Sequence, residues 1–332
     1  MSGIFNSDLD SILEGTSRSF YLSLKKLPKA IRPQVSLLYM LARASDTIAD
    51  SEEKEEGLLA LLESYNEFAQ GLTSTPPDMK ALSGLQSNAS EASLLNGVDE
   101  IVSKMEEFSE SDKAEIRRCL GVIISGQILD LQRFTSDDGS ILALESDEEL
   151  DDYAYRVAGS VGEFWTRMSL EHLFRFKQEE KETELFGHGV EFGKALQMIN
   201  ILRDIPADLS LGRCYIPSTR LAENGLAPND LLKTSSMNSF RPLYNEYLDL
   251  TDNYLISAIQ YIEMIPHSQF RLRGSCMLPV IIGKRTVSML RGKNVLDPSN
   301  RIKINRSEIK DVVKKVLLAV PFKGPSKKLL SE

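Results

Sequence analysis

Apolar residues recur at spacings of three and four through most of this chain, the mark of amphipathic helices. The pattern predicts helices near 4–14, 17–24, 33–50, 54–70, 93–108, 111–134, 147–174, 183–207, 240–264, 267–292 and 306–319. Pro33 near one helix start, and Ser111 with Glu115 downstream, fit N-terminal signals. Strand-like alternation is missing, apart from a candidate short strand at 301–304. The run 71–93, rich in Ser, Pro, Gly and Asn, reads as a mobile surface loop. Residues 137–147 and 210–219 read as shorter loops, and 323–332 as a charged tail. No seam in composition divides the chain, so the expectation is a single all-α domain over residues 1–332.

Composition narrows the function. The 332 residues are 42% hydrophobic, ample for a large core. A net charge of −9 argues against nucleic acid, which calls for a basic face. Cys119, Cys214 and Cys276 lack metal-ligand spacing and read as reduced thiols of a cytoplasmic protein. His172, His188 and His267 form no triad and read as structural or surface residues. No secretory signal is visible. The most apolar runs, 119–129 and 276–283, fall short of the ~20 residues that span a bilayer, so no transmembrane helix is expected.

The chemistry is concentrated in two acidic pairs, Asp46-x-x-x-Asp50 and Asp204-x-x-x-Asp208, 158 positions apart. Spacing by four stacks both carboxylates of a pair on one helix face. Like charges there repel by roughly 0.2–0.5 kcal/mol unless a cation bridges them. One such pair would be an ordinary solvated face. Two pairs, each ending an apolar helix, suggest two metal clamps facing one anionic ligand, because a half-buried carboxylate needs a partner. Mg²⁺ suits oxygen ligands of this kind, and Mn²⁺ could replace it. Arg43 and Arg203 lie near the pairs, and with Arg213 they are candidate clamps for an anion. Asn200 shares the face of Asp204, and Gln197 lies a turn earlier. Their amides could meet metal or an anion, or could be hydrogen-bonded within a bundle.

Four segments, in order, resemble the squalene and phytoene synthases of the trans-isoprenyl diphosphate synthase type. They are Thr16-Ser17-Arg18-Ser19-Phe20; Tyr39 through Asp50; Tyr153-Ala-Tyr-Arg-Val-Ala-Gly-Ser-Val-Gly162; and Gln197-x-x-Asn200-Ile-Leu-Arg203-Asp204-x-x-x-Asp208 with Gly212-Arg213-x-Tyr215-x-Pro217. The family commonly has Glu beside the last Asp of its motifs, where this chain has Ala49 and Ala207, which bears on the number of metals. The resemblance implies an isoprenoid-synthase-type helical bundle around a central cavity. It also implies Mg²⁺ on Asp46, Asp50, Asn200, Asp204 and Asp208, and diphosphate contacts from Ser17, Arg18, Ser19, Arg43, Gln197, Asn200, Arg203 and Arg213. Tyr39 and Tyr153 become aromatic partners of a carbocation, with Tyr153 also a proton relay; Tyr39 reads equally well as a core tyrosine.

Cys276-x-x-Pro279 and Ile302-Lys303-Ile304-Asn305-Arg306 resemble the C-terminal segments of squalene synthases, although Arg273-Gly274-Ser275 stands where Phe-Asn-Phe is usual. The resemblance therefore leans to a bacterial squalene synthase. Two farnesyl diphosphates would condense through presqualene diphosphate and be reduced by NADPH, with Lys303 and Arg306 as cofactor contacts. Phytoene or dehydrosqualene synthesis, without reduction, is the alternative, and a non-catalytic assembly protein of the same fold is a third. Peripheral membrane contact for product release is a further expectation.

Overall fold

Local chemistry sets many helix ends. The helix Arg32–Ala49 carries Pro33 in its first turn, where the missing N–H leaves no intrahelical bond unmade. Asn305 caps the helix Arg306–Ala319, accepting from the Glu308 N–H at 2.9 Å while Glu308 returns a bond to the Asn305 N–H. The computed structural model describes residues 5, 7–16, 21, 24–51, 55–136, 139–300 and 302–331. The chain is all-α: its only strands among these residues are Leu142–Ala143 and Arg213–Cys214, which form one short parallel pair.

The chain forms two compact units, Met1–Gln132 with Phe164–Arg175, and Arg133–Glu163 with Phe176–Glu332. In the first, the helices Arg32–Ala49, Glu55–Gln70 and Glu110–Arg133 bury Leu37, Leu41, Ile48, Leu62, Tyr65, Ile116 and Ile124. Asp112 is buried there between two partners: Gln34 Nε2 donates to it at 3.1 Å and His172 Nε2 lies 2.7 Å away. His172 is thus structural, as its sequence context implied. In the second unit the helix Glu179–Ser210 packs on Met237–Met264, and Phe270–Gly292 packs on both. Phe240, Tyr244, Leu248, Tyr261, Met277 and Val287 are buried in this unit.

Four expectations need correction. The run 71–93 is not simply a loop: it holds the helix Lys80–Leu85 and the start of Ala89–Asn96. Asn88 caps the latter by accepting from the Ser90 N–H, while Leu82, Leu94 and Leu95 are buried. The segment 323–332 is not a loose tail, since Lys323–Ser331 is a helix that buries Ser326, Leu329 and Leu330. Residues 302–305 are coil, so the strand near 301–304 is not seen. The helix expected over 147–174 is interrupted: Asp147–Ala154 and Ser160–His172 are joined by a π-helical turn at Tyr155–Gly159. Such turns recur at functional sites.

Candidate active site

The first aspartate pair ends the helix Arg32–Ala49. Asp46 is half-buried, and Asp50, at the C-cap, is exposed and donates its N–H to the Asp46 carbonyl at 2.9 Å. Burial, and then the Asp50 charge one turn away, push the Asp46 carboxyl up to about 6. Gln127 Nε2 donates to Asp46 Oδ1 at 2.5 Å. Gln127 itself is buried, and its amide oxygen has no hydrogen-bond partner among the described residues. Tyr65, fully buried, donates to the Leu41 carbonyl at 2.8 Å and braces the same helix. Arg43 is engaged by Glu91, so its charge is shared with an acid of this unit. Tyr39 is half-buried one turn before Arg43. Ser17, Arg18 and Ser19, the expected N-terminal diphosphate contacts, lie outside the described residues.

The second pair lies near the end of the helix Glu179–Ser210, which contains Pro206. Proline has no N–H for the carbonyl four residues back. That carbonyl belongs to Leu202, and it accepts instead from the fully buried Tyr244 hydroxyl at 2.9 Å. A single hydroxyl thus repairs the helix between Gln197–Asn200 and Asp204–Asp208. Asp204 and Asp208 are half-buried, Gln197 half-buried and Asn200 exposed. Arg203 forks onto Asp204: Nε donates to Oδ1 at 2.8 Å and Nη2 to Oδ2. The Asp204 carboxylate in turn holds the guanidinium above its ordinary pKa. The chain supplies Asp204 with a cation of its own.

Gly212, at φ +75°, makes the turn that leads into the strand Arg213–Cys214. A side chain would be strained there, and the turn sets where Arg213 and Tyr215 begin. Tyr215 and Tyr153 are both buried and stack with ring centroids 4.7 Å apart and planes 19° apart. The Tyr153 hydroxyl donates to that of Tyr215 at 3.3 Å, and Phe134 meets Tyr215 edge-on at 5.2 Å. Burial pushes the Cys214 thiol up to about 12, so it is no nucleophile. The small residues of the 153–162 signature serve a close helix contact. A Cβ on Gly162 would lie 1.8 Å from the Gly189 carbonyl oxygen, and one on Gly193 would lie 2.1 Å from that of Ala158.

Lys303 and Arg306 are exposed on either side of the Asn305 cap. Arg273, which stands in the departing C-terminal motif, is buried and donates to the Ile262 and Ile265 carbonyls, closing a helix end. Gln127, Tyr215 and Tyr244 were missed as site residues. Tyr215 did lie inside a quoted motif, whereas Gln127 and Tyr244 carried no local signal.

The donors fit a hard divalent cation. Each pair stacks two oxygen acids, and in the first the raised Asp46 carboxyl marks a position that a cation would relieve. Among the described residues no three His, Cys, Asp or Glu side chains converge on one metal position. Each pair would therefore bind with water or substrate oxygens completing the shell, as Mg²⁺ commonly does.

An all-α chain with two Asp-x-x-x-Asp helices and a π-interrupted Tyr-Arg-Val-Ala-Gly segment defines a class, and the comparisons agree. The squalene/phytoene synthase family model matches residues 13–308. The chain belongs to the squalene/phytoene synthase family, whose members are prenyltransferases that condense isoprenoids head to head. It is 29% identical over 238 residues to a bifunctional lycopene cyclase/phytoene synthase of Podospora anserina, covering 68% of this chain and 37% of that one. A protein of the same description from Blakeslea trispora is 26% identical over 279 residues, covering 82% and 43%. The chain thus spans less than half the length of these curated relatives. Its fold is similar to that of TcSQS in complex with the ligand E5700, with TM-score 0.79, 17% identity, and coverage of 98% of this chain and 89% of that one. The squalene synthase HpnC from Alicyclobacillus acidocaldarius gives a TM-score of 0.60 at 17% identity, covering 88% and 97%. Among the described residues no helix is long and apolar enough to cross a membrane.

Proposed function

We propose that the chain condenses two farnesyl diphosphates head to head through presqualene diphosphate and, with NADPH, reduces the product to squalene. The retention of all four outer aspartates carries the condensation, above all the half-buried Asp46, whose carboxyl near 6 calls for a cation. Asp46, Asp50, Asn200, Asp204 and Asp208 would hold Mg²⁺, which when bound neutralises charge growing on a departing diphosphate. Arg203 and Arg213 bind phosphate oxygens, and Arg203 exchanges its hold on Asp204 for the substrate. Gln127 and Tyr244 fix the acids they support before substrate arrives.

Ionisation leaves an allylic cation. A tyrosine face stabilises such a charge, by about 2 kcal/mol when desolvated. The stacked Tyr153–Tyr215 pair offers that face, and its bonded hydroxyls offer a path for the proton lost on cyclopropane closure. NADPH would supply the hydride of the second half-reaction. The exposed cations Lys303 and Arg306 fit its phosphate groups in charge.

Phytoene or dehydrosqualene synthesis is the second reading, favoured by the phytoene synthase descriptions of the curated relatives. Mass spectrometry of products from C15 and C20 diphosphates, with and without NADPH, decides between them. The proposal expects presqualene diphosphate without reductant and squalene with it. Dehydrosqualene or phytoene, unchanged by NADPH, would establish the second reading. No Mg²⁺-dependent release of diphosphate would mean a non-catalytic member of the fold.

A further inference from the structure

The last thirty-two residues run against the charge of the whole chain. The protein carries −9, yet residues 301–332 hold nine Lys or Arg against three acids. Lys303, Arg306, Lys310, Lys314, Lys315, Lys323, Lys327 and Lys328 are all exposed. Within this basic segment three large apolar side chains face water inside six residues: Leu317 at 51%, Leu318 at 76% and Phe322 at 61% exposure. Single exposed apolar residues are ordinary, but a cluster set among cations marks an interaction surface.

The helix Arg306–Ala319 explains the placement. Val312, Val316 and Ala319 are buried, with Val316 and Val320 close to Gly274 of the helix Phe270–Gly292. By helical spacing Lys310, Lys314, Leu317 and Leu318 share the opposite face. The corner beyond is held firmly. His267 Nε2 donates to the Pro321 carbonyl at 2.8 Å, and Ser326 Oγ to that of Ala319 at 3.2 Å. Lys284 Nζ donates to the Leu330 carbonyl at 2.8 Å. Held so, Leu318 and Phe322 do not turn inward, and little ordering entropy is left to lose on docking.

We propose that this corner, with Leu317, Leu318 and Phe322 at its tip and Lys310, Lys314, Lys315 and Lys323 around it, docks the protein on an anionic lipid bilayer. Lysines adjoining a few protruding apolar side chains match a membrane interface. The apolar groups enter the acyl boundary, the ammonium groups stay at the phosphates, and the lysine stems bury beside them. Negative lipid supplies the complementary charge. Docking of this kind does not depend on which prenyl product the chain makes.

Flotation of the full chain with two vesicle types tests it: phosphatidylcholine alone, and phosphatidylcholine with about a third phosphatidylglycerol. Binding is expected on the anionic vesicles and should weaken as salt rises. Leu318→Glu with Phe322→Glu should lower it by about tenfold or more, and Lys314→Glu or Lys315→Glu by about fivefold each. All four side chains are exposed, so thermal melting should be unchanged, and Leu72→Glu, at another exposed leucine, should bind as the parent does. No binding to anionic vesicles at low salt, or equal binding by parent and variants, overturns the proposal. So does a self-associated species in solution that Leu318→Glu dissolves without altering vesicle binding, since the patch would then belong to a second copy.

Discussion

Gln127 reaches Asp46 across 81 positions of sequence and donates its amide N–H to the carboxylate at 2.5 Å. The bond fixes one oxygen of a carboxylate that also faces the Asp50 charge. Groups that orient a metal ligand are commonly worth 10–100-fold in metal affinity. Gln127→Leu should therefore raise the Mg²⁺ concentration for half-maximal activity by about tenfold or more, and weaken Mg²⁺ binding in calorimetry. Unchanged Mg²⁺ demand would show the bond to be incidental.

Asp46 also predicts a pH dependence. Its folded carboxyl lies near 6, above the ordinary 3.8, so the folded state binds this proton more tightly than the unfolded chain. The group's penalty is absent below the ordinary value, and stability falls as pH rises through about 6. Metal binding needs the ionised acid, so Mg²⁺ affinity should rise over the same window. Melting curves of metal-free protein between about pH 4 and 7, parent against Asp46→Asn, check this: the variant should lose that part of the slope.

Asp46→Asn or Asp208→Asn keeps shape and removes a metal ligand. Loss of one stabilising contact to developing charge is commonly worth ~2.7–4 kcal/mol, so turnover should fall by about 10² to 10³ with the fold intact by circular dichroism. Near-normal turnover in either variant would sink the clamp reading.

Tyr244→Phe strips the Leu202 carbonyl of the hydroxyl that replaces the N–H missing at Pro206. A buried carbonyl left unsatisfied costs about 1–3 kcal/mol. Thermal and urea unfolding should show a loss of that size. Because the defect lies between Asn200 and Asp204, Mg²⁺ demand should rise as well.

Two glycines, Gly162 in the helix Ser160–His172 and Gly187 in the helix Glu179–Ser210, should respond in opposite ways. Gly162→Ala forces a methyl onto the Gly189 carbonyl, a backbone atom that cannot rotate away, while Gly187 has nothing within 4 Å of a built Cβ. Gly162→Ala should destabilise by about 1–3 kcal/mol or more. Gly187→Ala, in a helix interior, should stabilise by up to ~1 kcal/mol. Melting temperatures moving the same way would contradict the packing described.

Sequence alone determined what depends on local spacing. Helix periodicity placed Asp46 with Asp50 and Asp204 with Asp208 on single faces, because four residues make about one turn. It also gave the all-α character and most helix positions. Polar composition misled where a few buried leucines outweighed it: Leu82, Leu94 and Leu95 in 80–96, and Leu329 and Leu330 in 323–331. Helix propensity is a weak prior, and burial overrides it. The contacts that prepare the acids and the aromatic pair join residues 81, 42 and 62 positions apart: Gln127 to Asp46, Tyr244 to Leu202, Tyr153 to Tyr215. No period or motif encodes such pairings. They exist only once burial brings separate helices and the 213–217 segment together and leaves each buried polar group in need of a partner.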